Sequence, residues 1–162
     1  MTVKPTVLLV DDRRENLSVL VDVLGRAGFR VLVAEDGQAG VQQAQRARPD
    51  VILLDISMPV LDGYGACRAL KADATTRDIP VVFMSARHET VDRMRGLAAG
   101  GVDHVTKPFR AEEVLARVNA HATISRQGRA IREARAQLEH ALVLVDGEAR
   151  GAIEAALGAL DQ

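Results

Sequence analysis

Five side chains spread along the 162 residues could together handle a phosphoryl group: Asp11, Asp12, Asp55, Ser85 and Lys107. Three carboxylates crowded together repel one another and raise one another's pKa, so Asp11, Asp12 and Asp55 stay ionised only beside a compensating cation. Oxygen-only ligands favour magnesium over zinc, and magnesium keeps several waters while bridging carboxylates to phosphate oxygens. A carboxylate can itself attack phosphorus to give an acyl phosphate, while a metal, an ammonium and a hydroxyl balance the charge on the peripheral oxygens. Asp55, Lys107 and Ser85 match the nucleophile, the ammonium and the hydroxyl. Taken singly, each has a plainer role: Asp11, Asp12 or Ser85 could cap a helix, and Lys107 could be a solvated surface charge. What sets them apart is that each stands at the end of a short aliphatic run.

Those runs are the elements that must position them. Val51-Ile52-Leu53-Leu54 is too short for an independent helix and ends at Asp55, which predicts a buried parallel strand with its carboxylate at the C-terminal tip. Strands are expected at 6–10, 29–34, 51–55, 81–84 and 102–105. The first stops at Asp11-Asp12, the fourth at Ser85 and the fifth at Lys107-Pro108. Leu17, Leu20, Val21 and Leu24 recur at helical spacing until Gly28 supplies a stop. Further helices are expected at 38–47, halted by Pro49, at 64–71, at 91–99 and from 111 to 122. Five strands alternating with five helices predict an α/β fold, a flavodoxin-like, doubly wound parallel sheet. In the order 2-1-3-4-5 the first and third strands meet at the switch point, bringing Asp11, Asp12 and Asp55 to one crevice, with Ser85 and Lys107 ending the flanking strands.

Composition narrows the partners. With 48% apolar residues and 21 basic against 22 acidic side chains, the chain reads as globular, with no electrostatic footprint for nucleic acid or an anionic membrane. Cys67 is the single cysteine, which excludes an internal disulfide and suits a reducing compartment. No membrane span or signal peptide is apparent, so a cytoplasmic location is expected. Tyr64 and Cys67 are assigned to helix packing. Arg14 and Arg87 flank the crevice and could meet a phosphoryl group or a partner, with solvated charge as the plainer role. His88, His121 and His140 lack metal-ligand spacing, and no motif around His140 supports a phosphohistidine.

Asp11-Asp12, Asp55 with Met58-Pro59 and Asp62-Gly63 after it, Ser85-Ala86, and Lys107-Pro108-Phe109 resemble the receiver domain of bacterial two-component response regulators. The intervals from Asp12 to Asp55, to Ser85 and to Lys107 agree with that family's pattern, and the resemblance covers roughly residues 6–122. It implies that Asp55 is the phosphoacceptor, that Asp12 ligates magnesium directly and Asp11 holds metal-bound water, and that the backbone carbonyl of Ser57 is the third protein ligand. It further implies that Ser85 hydrogen-bonds the phosphoryl group and shifts on phosphorylation, that Lys107 pairs with that group, and that the Lys107-Pro108 peptide is cis. Ala86, being small, leaves phosphate access. One position departs from the pattern: three residues before the lysine the family usually has Tyr or Phe, a ring that swings inward as the hydroxyl moves, and here stands His104. A histidine could still rotate but titrates near neutral pH, and the plainer reading makes it an exposed edge residue.

Residues 1–122 are thus expected to form the receiver and residues 123–162 a helical extension. Ile124, Ile131, Leu138 and Val145 recur every seven residues, with Ala134, Ala141 and Leu142 partly filling a second row, which predicts a parallel dimeric coiled coil; folding back in cis is the alternative. Gly128, Gln127 and Glu148 weaken the seam. Asp146-Gly147 is expected to interrupt it before a short amphipathic helix over 149–160. The extension is neither basic nor long enough for a winged helix, which argues against direct DNA binding. The expected function is a response regulator of a two-component phosphorelay. It would not be an enzyme on other substrates; it would take a phosphoryl group on Asp55 from a sensor histidine kinase or phosphotransfer protein with Mg2+, and switch homodimerisation or partner binding. The alternative is the receiver and linker of a longer regulator with an enzymatic output such as a diguanylate cyclase. A small-molecule magnesium phosphatase would need a substrate-enclosing cap, which no insertion here is long enough to supply. A purely structural adaptor with a vestigial crevice sits poorly with the intact Asp55, Ser85 and Lys107.

Overall fold

The computed structural model describes residues 3–86, 90–145 and 147–162. Five strands, β1 (Thr6–Val10), β2 (Arg30–Ala34), β3 (Val51–Asp55), β4 (Val81–Ser85) and β5 (Asp103–Thr106), form one sheet in the order β2-β1-β3-β4-β5. Every pairing in it is parallel. Between and after them lie α1 (Arg14–Arg26), α2 (Gly37–Ala47), α3 (Gly63–Ala72), α4 (Thr90–Ala98), α5 (Ala111–Leu144) and α6 (Gly147–Leu160). This is the doubly wound α/β fold that the alternation of runs predicts.

Side-chain alternation explains why the central strands are apolar throughout. On one face, Val7 and Leu9, Val51 and Leu53, Val82 and Met84 pack against Leu17, Leu20 and Leu24 of α1 and against Val114, Val118 and Ala122 of α5. On the other, Leu8, Val10, Ile52, Leu54 and Phe83 meet Ala44 of α2 and Tyr64, Cys67 and Leu70 of α3. A strand covered on both faces cannot alternate apolar with polar residues, so it reads as a continuous greasy run.

Register then decides where each run's terminal polar residue falls. Val10 lies opposite Leu54, Leu54 opposite Phe83, and Ser85 opposite Thr106. Asp11, Asp55, Ser85 and Lys107 therefore leave the sheet at nearly one level. Backbone bonds extend the ladders past the strand ends: Asp11 N–H donates to the Ala34 carbonyl at 3.2 Å, Ile56 N–H to Met84 at 3.1 Å, and Lys107 N–H to Ser85 at 2.7 Å.

Small boundary shifts have local causes. Strand β2 begins at Arg30 because the Phe29 amide closes α1, donating to the Leu24 carbonyl at 3.1 Å around Gly28 at φ 95°. Helix α2 ends on Arg48 at φ 46°, whose amide donates to Ala44 just before Pro49. The loop after β3 depends on a glycine: Gly63 N–H donates to the Ile56 carbonyl at 2.8 Å, and a Cβ there would run into the Asp55 carbonyl.

The chain divides into two compact units, Met1–Ser125 and Arg126–Gln162. Within the second, the distal half of the expected coiled-coil seam meets a helix of its own chain. Leu138, Leu142 and Val145 are half-buried, as are Ile153, Leu157 and Leu160 of α6. Arg135 pairs with Asp161 at 2.6 Å, and the Arg150 guanidinium donates to the Leu142 carbonyl. This is the fold-back arrangement, antiparallel and in cis, over that half. Ile124 and Ile131 stay exposed at 63% and 47%. The interruption falls where expected, between Leu144 and Gly147, and α6 starts two residues earlier than the sequence suggested.

Gly63→Ala is expected to destabilise the protein by about 2–3 kcal/mol, because backbone rather than a movable side chain fills the space. Gly25→Ala, on the exposed face of α1 with open space around it, should stabilise by about 0.5–1 kcal/mol. Urea unfolding of the two variants checks both signs.

Candidate functional site

At the C-terminal edge of the sheet, Lys107 is the centre of charge. Its ammonium lies 3.0 Å from Asp11 Oδ2 and 3.1 Å from Asp55 Oδ1, with only 18% of the lysine side chain exposed. Asp11 is fully buried. Its Oδ1 accepts the Arg13 amide at 2.9 Å, and its Oδ2 also accepts the Asn16 side-chain amide at 3.0 Å. It thus does not cap α1 in the ordinary way: the N-cap is Arg13, which makes no side-chain cap bond. Asp12, next along, is exposed.

Asp11, Asp12 and Asp55 each offer an oxygen, all within 4.8 Å of one another. The donor set is hard, all-oxygen and open to water on the Asp12 side, which suits magnesium rather than a closed structural metal. Burial pushes the Asp55 carboxyl above its ordinary value; Lys107 pulls it back, and Asp11 and Asp12 push it further up. An added cation would therefore favour the ionised form of Asp55. Ser57, whose carbonyl the resemblance assigns to the metal, lies exposed in the loop after β3.

Ser85 ends β4 and is buried, with 7% of its surface exposed. Ala86 is exposed beside it. The Lys107-Pro108 peptide is cis, as the resemblance implies. His104 is not an exposed edge residue: it lies opposite Phe83 in the sheet, is half-buried, and both its ring nitrogens are buried. It borders a cavity of about 240 Å³, together with Phe83, Gly96, Leu97 and Arg117, away from the three carboxylates.

Arg14 does not enter the crevice; its side chain is 83% exposed and pairs with Glu35 at 3.1 Å. Arg87 and His88 lie outside the described residues. His121 meets Asp103 at 2.9 Å, beside Arg117 on the same carboxylate, so its ring is engaged by one acid rather than set among metal ligands. Tyr64 and Cys67 pack as expected, Tyr64 tilted on Phe83 with ring centroids 5.5 Å apart and Cys67 buried with its thiol on the Ala99 carbonyl.

Two contributions were not read from the sequence. Asn16 sits in the first turn of α1, where its spacing from Asp11 could have flagged it. Arg95 of α4 stacks over the Tyr64 ring, 4.6 Å from its centroid, and both border a cleft of about 450 Å³ shared with Asp12, Ser57 and Asp62. No short-range pattern links residues 64 and 95.

Removing the shared ammonium tests the electrostatics. Lys107→Ala leaves Asp11 buried without its charge partner and is expected to cost about 3 kcal/mol at neutral pH in metal-free protein. It should also raise the Asp55 pKa further. Because that folded-state pKa already lies above the unfolded one, the charged Asp55 opposes folding at high pH and this opposition fades as pH falls through the folded value. The deficit of Lys107→Ala relative to wild type should therefore shrink on acidification, as urea titrations at neutral and at mildly acidic pH would register.

Comparison with known proteins places this geometry. Residues 7–119 match the family described as the response regulator receiver domain. The transcriptional regulatory protein PrrA of Mycobacterium tuberculosis is 46% identical over 116 residues, covering 72% of this chain and 49% of PrrA. The phosphate regulon transcriptional regulatory protein PhoB of Klebsiella pneumoniae is 42% identical over 114 residues, 70% of this chain and 50% of PhoB. This chain thus spans about half the length of the curated relatives it matches. Among solved structures, the receiver domain of the sensor histidine kinase PA1611 of Pseudomonas aeruginosa, described with a magnesium ion coordinated in its active-site cleft, superposes with a TM-score of 0.70 at 35% identity, covering 75% of this chain and 99% of that one. The Francisella response regulator 1452 receiver domain gives 0.70 at 30% identity, with the same coverage. With its five-stranded sheet, its acidic cluster and its bridging lysine, the chain belongs to the response regulator receiver domain family.

Proposed function

We propose that Asp55 accepts a phosphoryl group from a sensor histidine kinase or phosphotransfer protein, in a Mg2+-dependent reaction, and that the phosphorylated state changes self-association or partner binding. The observation that carries this reading is Lys107 spanning Asp11 and Asp55 within a cluster of three carboxylates at the sheet's C-terminal edge. Asp12, Asp55 and the Ser57 carbonyl would hold the metal, with Asp11 holding water on it. Bound magnesium supplies positive charge to the phosphoryl oxygens and favours ionised Asp55.

The chain's own groups account for the remaining chemistry. An Asp55 carboxylate oxygen attacks phosphorus while the bond to the donor's imidazole nitrogen breaks, leaving the histidine neutral once it has a proton. Lys107 then exchanges one of its carboxylate partners for a phosphoryl oxygen, and the Ser85 hydroxyl donates to another. Displacing Ser85, which lies opposite Thr106 in the β4-β5 pairing and two residues along from the Phe83-His104 pair, toward the phosphoryl group is the step that would be felt on the far face; His104 rotation is its proposed readout.

Residues 1–122 carry this chemistry, and residues 123–162 carry the output, with exposed Ile124 and Ile131 as the open part of a homodimer seam. Balanced charge, 21 basic against 22 acidic residues, supports protein rather than DNA as the immediate partner. Among the described residues, no helix is long and apolar enough to cross a membrane. A second reading, favoured by the greater length of the curated relatives, is a receiver and linker serving a longer regulator with its own output domain; the relatives named above are transcriptional regulators, and an enzymatic output such as a diguanylate cyclase is the form of this reading that the sequence raised.

Incubation with a small phosphodonor and Mg2+ should add the mass of one phosphoryl group to the wild type and none to Asp55→Asn or to metal-free protein. Light scattering of the same samples should show a larger species only in phosphorylated wild type. A mass gain that survives Asp55→Asn would contradict the phosphoacceptor assignment, and an unchanged particle size would contradict the dimer.

A further inference from the structure

The cleft beside Asp12 contains a feature that the phosphoacceptor chemistry leaves unused. Asp12, Ser57, Met58, Asp62, Tyr64 and Arg95 are among the residues that line it. Arg95 is the only basic side chain lining it among the described residues. Its guanidinium is seated on the Tyr64 ring, 4.6 Å from the centroid. Tyr64 is itself fixed, 4% exposed, packed on Phe83, with its hydroxyl donating to the Asp92 carbonyl of α4 at 3.3 Å. The ring thus acts as a platform that keeps one cation on the cleft that Asp12 also lines and limits the side-chain entropy lost when an anion is bound.

Neither acid lining the cleft is ion-paired with that cation among the described residues. Asp62 caps α3, its Oδ1 accepting the Gly65 amide at 2.8 Å, and Asp12 belongs to the metal cluster. A guanidinium with no carboxylate partner among the described residues, facing an open cleft of about 450 Å³ that Asp12 and Ile56, the residue after Asp55, also line, suits an anion that is present only during transfer.

We propose that Arg95 binds the carboxylate leaving group of acyl phosphate donors and so sets a preference for them over donors with a neutral leaving group. This inference rests on the phosphoacceptor reading. In the step, an Asp55 oxygen forms a bond to phosphorus, the bond from phosphorus to the acyl oxygen breaks, and the electron pair leaves on that oxygen as a carboxylate. No proton is needed. With phosphoramidate the phosphorus-nitrogen bond breaks instead and the nitrogen departs as ammonia, which offers nothing to a guanidinium. Arg95 contributes only where negative charge develops on the leaving group, so its effect falls on the transition state for one donor class.

The test uses the full chain with Mg2+ and measures the rate of phosphoryl gain by quenched intact-mass analysis, with acetyl phosphate and with phosphoramidate in parallel. The quantity read is the ratio of the two second-order rate constants, because a general loss of fold or metal cancels in it. The acetyl phosphate to phosphoramidate ratio is expected to fall about fivefold in Arg95→Ala, modest because the side chain is exposed, and further in Arg95→Glu. Arg95→Lys should lie between wild type and Arg95→Ala. A ratio equal to the wild-type value in both Arg95→Ala and Arg95→Glu overturns the proposal while leaving the phosphoacceptor reading intact. A wild type modified by neither donor overturns the parent reading, and this one with it.

Discussion

The site depends on one ammonium shared between two carboxylates. Lys107 stands within 3.1 Å of both Asp11 and Asp55, and Asp11 has no exposed surface at all. Burying a carboxylate costs several kcal/mol unless donors replace the lost water, and Asp11 has three: the Arg13 amide, the Asn16 side chain and Lys107. Asp55 has fewer. Its carboxyl is left above the ordinary range, because burial and two neighbouring carboxylates outweigh the single lysine. In the proposed reaction this imbalance would serve a nucleophile that must take up a doubly charged group, since the same deficit would attract a metal to the open side where Asp12 stands.

The fold exists to hold that charge arrangement, and it does so with few devices. Parallel register puts four strand ends at one level, and side-chain alternation buries both faces of β1, β3 and β4, so the sheet beneath the site cannot yield. The loop carrying Ser57 is held down by the Gly63 amide on the Ile56 carbonyl. At the other end of the sheet, buried Asp50 accepts the Thr6 amide at 2.7 Å and ties the start of β3 to β1. The strained conformation in this region falls on Val60, at φ 71°, in the exposed turn that precedes α3.

The strands and the acidic cluster were legible because their signals are local or follow from topology. Four aliphatic residues ending at Asp55 declare a two-sided strand, and the alternation of runs and helices leaves few windings that bring Asp11, Asp12 and Asp55 together. Contacts between distant positions were not legible. Nothing near Tyr64 announces Arg95, and nothing near Leu138 says whether its partner is a second chain or α6 of the same one. The heptad spacing of Ile124, Ile131, Leu138 and Val145 specifies an apolar stripe without specifying what covers it. The structure covers the distal half with α6 and leaves Ile124 and Ile131 exposed. His104 was ambiguous for a related reason: on a short edge strand the side-chain direction depends on register, and pairing with Phe83 puts its ring nitrogens inside.

The central claim is that Asp55 is an under-compensated carboxylate whose charge is set by Lys107 and by a cation on the Asp12 side. Titration of the Asp55 side-chain carboxyl by carbon NMR, with and without Mg2+, measures this most directly. The account predicts a pKa above the ordinary aspartate value of about 3.9 in metal-free protein and a clear fall when Mg2+ is added. An ordinary pKa that does not respond to Mg2+ would contradict it.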